Sequence, residues 1–222
     1  MDLIASARRH PSAVLLVVQL LGVLVYPAME RDGSAGGRVA FETLGIIVLL
    51  LAVFSVRATP GLTWVSIGLG IPAVVLSLID AANPGTGVVP WSAGLHAAFY
   101  FYAAYSLLRY MLSDHEVSTD ELFATGATFT LVAWGWAYLY VLVQALEPGS
   151  FIAAINPTAD RTWMELLFLS FTNLSSTGLS DVVPVRSYAR SVVMLEQLAG
   201  LGYVAMVVSR LVGLTIMRHR SN

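Results

Sequence analysis

Residues 162–181, which read TWMELLFLSFTNLSSTGLSD, determine how the rest of the chain is arranged. The spacing of Thr162 and Glu165 is that of a capping box, in which two side chains satisfy free N–H groups at a helix start. The apolar run 163–174 then amounts to about 18 Å of helix. A helix that crosses a bilayer needs ~20 residues, so this run predicts a half-length helix that ends in a polar Ser/Thr/Gly turn.

Two longer apolar segments flank this half-helix. Leu122 to Leu146 precedes it, and Tyr188 to Met217 follows it after Pro184. Both are long enough to span a membrane, so the short helix and its polar turn are predicted to form a re-entrant loop between them. Irregular backbone at membrane depth is tolerated only where it is buried in protein or lines a water-filled path. The pattern therefore indicates a pore.

The composition is that of a membrane protein. The chain has 222 residues, of which 57% are hydrophobic and 12% are charged, and its mean hydropathy is +0.74. Soluble domains carry about 25% charged residues. The absence of cysteine excludes disulfides and cysteine-ligated metals, and the net charge of −2 argues against a nucleic-acid partner.

The predicted fold class is an all-α membrane protein with six transmembrane helices, a re-entrant half-helix and its polar loop. A four-helix N-terminal transmembrane domain is expected over 1–112, a linker over 113–121 and a pore domain over 122–222. Within the pore domain we expect the half-helix at 163–174, the polar loop at 175–181 and a last helix at 188–217. The six predicted spans are 12–29, 39–56, 62–79, 91–112, 122–146 and 188–217.

The turn after the half-helix carries a family resemblance. Residues 176–181, Ser-Thr-Gly-Leu-Ser-Asp, resemble the T-V-G-Y-G-D filter signature of tetrameric potassium channels. The likeness continues in register through Pro184, Arg190 and the segment 195–200, which ends in a glycine at the family's hinge position. It covers roughly the last 100 residues, which are similar to the bacterial six-transmembrane channels with a two-helix pore module. The resemblance implies that 163–174 is a pore helix, 175–181 a selectivity-filter loop and 188–217 the inner helix, and that the linker 113–121 is cytoplasmic.

The resemblance implies a homotetramer in membrane lipid, with K⁺ or another monovalent cation as the permeant ion and no cofactor. Backbone carbonyls in such filters replace the hydration shell of the ion. The implied ion-binding set is Ser176, Thr177, Gly178, Leu179 and Ser180, whose first four carbonyls and the Ser176 hydroxyl are the ligands.

The same resemblance implies roles for residues around the filter. Asp181 is expected at the outer mouth, and the apolar side chains of Leu201, Val204 and Val208 are expected to line the cavity. Gly200 holds the hinge position. Gly200 and Gly202 either form that hinge or only let two helices pack closely.

Two filter residues depart from the family pattern. Leu179 replaces its aromatic residue and Ser180 its second glycine. A glycine there tolerates backbone angles that are costly for other residues, so Ser180 either adopts the left-handed conformation or flips the Leu179–Ser180 peptide, which would remove one ring of carbonyl ligands. Selectivity for K⁺ over Na⁺ is expected to be weaker. An alternative is a collapsed, non-conducting filter in a structural or regulatory membrane subunit.

The resemblance also sets the orientation. The chain is expected in the inner membrane of the cell. Both termini are expected in the cytoplasm, because the family's filter opens to the outside. Arginine distribution gives only a weak bias in the same direction. The predicted fourth span contains Arg109 alone, whereas voltage sensors repeat arginine along that helix. Gating by an arginine-rich sensor is therefore not expected.

A few ionisable residues remain within the predicted spans. Glu196 is expected to form a structural bond behind the filter, since charged groups in membrane helices are usually paired. Glu42, Asp80 and His96 either form a cation or proton site or are interfacial residues with ordinary partners. A rival enzyme reading, an intramembrane hydrolase, would need Ser175 or Ser180 to meet His96, and no catalytic motif supports it.

Overall fold

The computed structural model describes residues 10–31, 60–83, 85–112 and 119–221, together with positions 45, 47, 48 and 51. The predicted second span, 39–56, lies outside these residues except for those four positions, and Glu42 lies outside them altogether. The described elements are α1 (Pro11–Arg31), α2 (Pro60–Ala82), α3 (Val89–Met111), α4 (Thr119–Leu146), β1 (Phe151–Ala153), α5 (Trp163–Leu174), β2 (Val182–Pro184) and α6 (Ser187–Ser221).

Four helices in the described part of the chain are long and apolar enough to cross a membrane. They contain the segments Pro11–Ala28, Trp64–Ala82, Asp120–Leu146 and Ser187–Arg210. Helix α3 has the required length but is not among the four, although a span was predicted there. Its tyrosines, Ser92 and His96 lower its apolar content, and its buried residues pack within the protein. The protein is therefore a mostly helical, multi-pass membrane protein, and the count of six spans stays a prediction.

Helix α4 lies at the centre of the bundle and contacts α1, α3, α5 and α6. The main hydrophobic core joins side chains from the N-terminal helices to α4 and α5, with Trp134 fully enclosed and flanked by Tyr100 and Trp163. Close packing of α4 against α3 depends on Gly135 of α4. A Cβ atom at this position would lie 3.0 Å from the ring of Phe101 on α3. The half-helix is thus held directly against the same core as the N-terminal helices.

Two short strands flank the half-helix. Strand β1 pairs antiparallel with β2, with Phe151 opposite Pro184, and Val185 N–H donates to Ser150 O at 2.9 Å. The sequence predicts only loop here, because strands of three residues are too short to show an alternating pattern. The all-α expectation is corrected in this detail. Because β1 follows α4 and β2 follows α5 and its turn, this pairing returns the chain to the end of α4 from which it started.

The first turn of α4 includes two acidic residues that were expected in the linker. Asp120 accepts hydrogen bonds from the N–H and the hydroxyl of Ser12 at 3.1 and 2.8 Å. Glu121 forms an ion pair with Arg210 of α6 at 3.3 Å. Carboxylates are favourable at helix N-termini because of the helix dipole, so the helix begins earlier than the apolar pattern indicates. This end of α4 is tied to both α1 and α6.

Candidate functional site

The half-helix α5 begins with the predicted capping box. The Thr162 hydroxyl accepts from Glu165 N–H at 3.3 Å, and the Glu165 carboxylate accepts from Thr162 N–H at 2.6 Å. Buried Arg161 supports this start by donating to Glu165 at 3.1 Å and to three carbonyls of the preceding loop. The prediction of a helix start here is confirmed.

The C-terminal end of α5 is closed by a Schellman motif. Ser176 N–H donates to Asn173 O at 3.0 Å and Thr177 N–H donates to Thr172 O at 2.9 Å, the two bonds that define this motif. Ser176 has a φ of 61°, the left-handed conformation that the motif places just beyond a helix end. Ser176, the first residue of the implied ion-binding set, is therefore also part of the helix cap.

The hydrogen bonds of this cap set the direction of two carbonyl groups. Thr177 N–H and Gly178 N–H both donate to Thr172 O, at 2.9 and 3.1 Å, and both therefore point towards α5. In a trans peptide the C=O points opposite to the N–H of the next residue, and there is no cis peptide in the described chain. The carbonyls of Ser176 and Thr177 thus point away from α5, on the exposed side of the segment.

The left-handed conformation of Ser176 has a testable cost. A side chain in this conformation costs roughly 1–2 kcal/mol, and glycine avoids that cost. We expect Ser176→Gly to raise the free energy of unfolding by about 1 kcal/mol, measured by chemical denaturation in detergent micelles. Neighbouring Ser175 has a right-handed conformation with φ of −80° and donates to Phe171 O, so Ser175→Gly should destabilise. Equal destabilisation by both variants would contradict the assigned backbone geometry.

The outer part of the predicted filter differs from the expectation. Positive φ angles occur at Ser176 and at Gly178 (66°) but not at Ser180, so of the two outcomes expected at Ser180 the left-handed conformation is not adopted. The Ser180 hydroxyl accepts from Val182 N–H at 3.1 Å and turns the chain into β2. Leu179 and Asp181 are exposed, and no side-chain partner of Asp181 occurs among the described residues.

Glu196 of α6 lies behind the half-helix and is fully buried. Its carboxyl group accepts hydrogen bonds from the hydroxyls of Tyr140 on α4 and Ser170 on α5. The same hydroxyl oxygen lies 2.9 Å from Ala133 O. The structural bond that was expected for Glu196 is present, but the residues that donate to it were not predicted. An acidic residue inside an apolar helix is the signal that such donors must exist, but sequence alone does not say which ones.

Gly200 lies at the contact between α6 and the end of α5. A Cβ atom there would come within 2.9 Å of the Leu174 Cα and carbonyl carbon, whereas nothing lies within 4 Å of one at Gly202. Real Cβ atoms do not approach backbone this closely. This contact favours the packing role for Gly200, and helix α6 continues through both glycines. The hinge role stays a prediction.

The three predicted cavity residues are exposed side chains on α6. Val204 and Val208 line an apolar groove of about 410 Å³ whose opposite wall includes Leu16 and Leu20 of α1. Leu201 does not line this groove. The structure therefore places two of the three side chains next to α1, and their role around an ion pathway stays a prediction.

The residues of the rival hydrolase arrangement do not meet. His96 is buried in α3, where its Nδ1 lies 2.9 Å from Ser92 O, and its ring stacks on Tyr138 at 4.5 Å. Among the described residues, the side chains of Ser175 and Ser180 form hydrogen bonds within 171–182 and not with His96. No nucleophile and base pair of the kind that this enzyme needs is formed by these three residues.

Comparison with known proteins agrees with this geometry. Residues 126–216 match the model of a family described as "Ion channel". The matched segment begins within α4 and contains both strands, α5, the 175–181 segment and most of α6. No curated protein and no solved structure matches the chain at a significant level. The match supports an ion-channel domain of the two-helix potassium-channel type in the C-terminal part of this multi-pass membrane protein.

Proposed function

We propose that this protein forms a homotetrameric cation channel in which four copies of residues 176–180 line one axis and conduct monovalent cations, K⁺ foremost. The observation that carries the proposal is the direction of the Ser176 and Thr177 carbonyls, which point away from α5 on an exposed surface. Rings of backbone carbonyls replace the hydration shell of an ion in potassium-channel filters. Four chains would supply two such rings from these residues alone.

The arrangement of the neighbouring elements supports this proposal. Helix α5 is too short to span a bilayer, and β1 and β2 pair on either side of it. A segment that enters and leaves on one side suits a re-entrant pore loop. Helix α6 also carries large apolar side chains that the single chain leaves uncovered, such as Leu198 at 70% exposure, and some of them would be buried by neighbouring copies.

The remaining features of the proposal follow from the sequence. Both termini lie in the cytoplasm and the filter opens outside, with the chain in the inner membrane. Gating does not use an arginine-rich sensor, because α3 carries Arg109 alone, in its last turn. Asp181 lies at the outer mouth of each subunit. Leu179 and Ser180 make the outer filter less selective than in the potassium channels that it resembles.

The test is ion flux through the purified protein in liposomes, with one matched pair of variants. Gly178 and Gly149 have φ angles of 66° and 75°, and neither has an atom within 4 Å of where a Cβ would lie. Alanine costs a similar backbone strain of roughly 1–2 kcal/mol at either position. We expect K⁺ flux in the unmodified protein and in Gly149→Ala, and at least about a tenfold loss in Gly178→Ala, since about 1.4 kcal/mol changes a rate tenfold.

Two outcomes would contradict the proposal. Equal flux in the Gly178→Ala and Gly149→Ala variants would show that the 175–181 segment is not the ion path. An intact oligomer of the unmodified protein that conducts no ions would favour the alternative of a structural or regulatory subunit. Cross-linking in lipid bilayers tests the assembly separately, and products that stop at dimers would exclude a tetramer.

A further inference from the structure

A polar cavity lies away from the 175–181 segment, between α2, α3, α4 and the start of α5. Its volume is about 210 Å³. Asp80 and Ser77 of α2 and Ser92 of α3 line one side, and Tyr138 of α4 and Trp163 of α5 line another. Sites for drug-sized ligands have volumes of about 300–1,000 Å³. The cavity therefore suits a smaller molecule.

The charge in this cavity comes from Asp80. Its carboxylate has no hydrogen-bond or ion-pair partner among the described residues. Arg161 also borders the cavity, but its guanidinium donates to Glu165 and to the carbonyls of Ile155, Asn156 and Ala159. Its charge is thus compensated by Glu165 and directed into the loop. A ligand in the cavity would meet one uncompensated negative charge.

The remaining walls combine polar acceptors with apolar and aromatic surfaces. The hydroxyls of Ser77 and Ser92 lie 3.0 Å apart, and each can accept a further hydrogen bond. Gln144 uses its amide to bind the backbone of Arg161 at 2.9 and 3.0 Å, and its oxygen keeps a second lone pair.

Aromatic and apolar side chains complete the cavity. The Tyr138 and Trp163 rings are 5.8 Å apart, and Val89, Ala93 and Val141 provide the apolar surface. Aromatic faces attract cations as well as apolar groups. A carboxylate beside hydroxyl acceptors, aromatic rings and a small apolar wall matches an ammonium group on a short hydrocarbon chain.

We propose that this cavity binds a small primary ammonium compound with a short apolar substituent. The ammonium group donates to the Asp80 carboxylate and to the hydroxyls of Ser77 and Ser92, and the substituent packs against Val141 and the aromatic rings. Bound ligand bridges α2 and α3 to Trp163, the first residue of α5. The site is separate from the proposed ion path, and its occupancy can be measured without ion flux.

The experiment is calorimetric titration of the full-length protein in lipid nanodiscs with n-butylammonium. Uncharged n-butanol has nearly the same shape and serves as the ligand control. We expect saturable binding of n-butylammonium and at least about tenfold weaker binding of n-butanol, since a charge-assisted hydrogen bond is worth on the order of a tenfold change in affinity or more. Asp80→Asn keeps the side-chain size and should weaken n-butylammonium binding by a similar factor.

Two further variants make the result specific to the cavity. Asp160→Asn removes an exposed carboxylate from the loop before α5 and should leave binding unchanged. Val89→Phe fills part of the cavity from its partly exposed edge and should weaken binding while Asp80 is retained. The proposal would be overturned if n-butylammonium showed no saturable binding or bound no better than n-butanol. It would also be overturned if folded Asp80→Asn protein bound n-butylammonium unchanged, or if Asp80→Asn and Asp160→Asn lost binding equally.

Discussion

Replacing Glu196 with alanine is expected to lower the free energy of unfolding by about 3 kcal/mol. The substitution removes the acceptor of the buried Tyr140 O–H, and a buried donor left without an acceptor costs about 1–3 kcal/mol. It also leaves a cavity at a fully buried position, which adds a further penalty. Because the carboxyl group joins α4, α5 and α6, we expect the half-helix to lose its fixed position and ion flux to fall with it.

Gln197 provides the matched control for this prediction. It is the next residue on α6, it is exposed, and its amide only reaches Asn173 at 3.5 Å. Gln197→Ala should change the free energy of unfolding by less than about 0.5 kcal/mol. Both variants are measured by denaturation in mixed micelles. Similar values for the two would show that the hydrogen bonds of Glu196 do not stabilise the fold.

Gly200→Ala is expected to cost about 3 kcal/mol of stability and to abolish ion flux. The new methyl group would overlap the backbone of Leu174, and backbone cannot move aside as a flexible side chain can. Overpacking typically costs 1–3 kcal/mol, and the upper end is expected for a contact with main-chain atoms. Since Leu174 is the last residue of α5, relief of the clash must displace the segment that follows it.

Gly202→Ala distinguishes the packing role of glycine from the hinge role. Nothing lies near the position of its Cβ, and alanine is about 1 kcal/mol more favourable than glycine inside a helix. We expect Gly202→Ala to be neutral or stabilising and to conduct. If Gly200→Ala and Gly202→Ala instead both reduced flux without any loss of stability, helix bending at these glycines would be the better explanation.

Local features of this fold could be predicted from the sequence. The start of α5 depends on Thr162 and Glu165, which interact within one helical turn, so their spacing alone identifies it. The end of α5 was harder. Left-handed positions usually hold glycine, so the sequence directed attention to Ser180, the residue in a family glycine position, where a left-handed conformation was one of two expected outcomes. The structure instead uses Ser176, since the two cap hydrogen bonds to Asn173 and Thr172 determine the conformation there.

Contacts between distant segments could not be predicted. The donors of Glu196 lie on two other helices, and no short pattern links Tyr140 or Ser170 to that carboxyl group. The same holds for the pairing of β1 with β2, whose strands are too short to show a pattern. Helix α3 was predicted as a span because its length and flanks suit one, but much of its surface is buried in the bundle. Ser92, His96 and Ser106 are among these buried residues, and the span itself stays a prediction.

The pairing of β1 with β2 has a consequence for how the protein is made. Strand β1 leaves the ribosome before α5, whereas β2, Glu196 and Gly200 all follow it. At synthesis rates of about 5–20 residues per second, the delay is on the order of seconds. During that interval β1 and β2 are not yet paired on either side of α5, and α5 lacks its contacts with α6. The half-helix therefore reaches its final position late. A nascent chain truncated before β2 would lack both contacts, and one truncated between β2 and α6 would lack only the packing against α6.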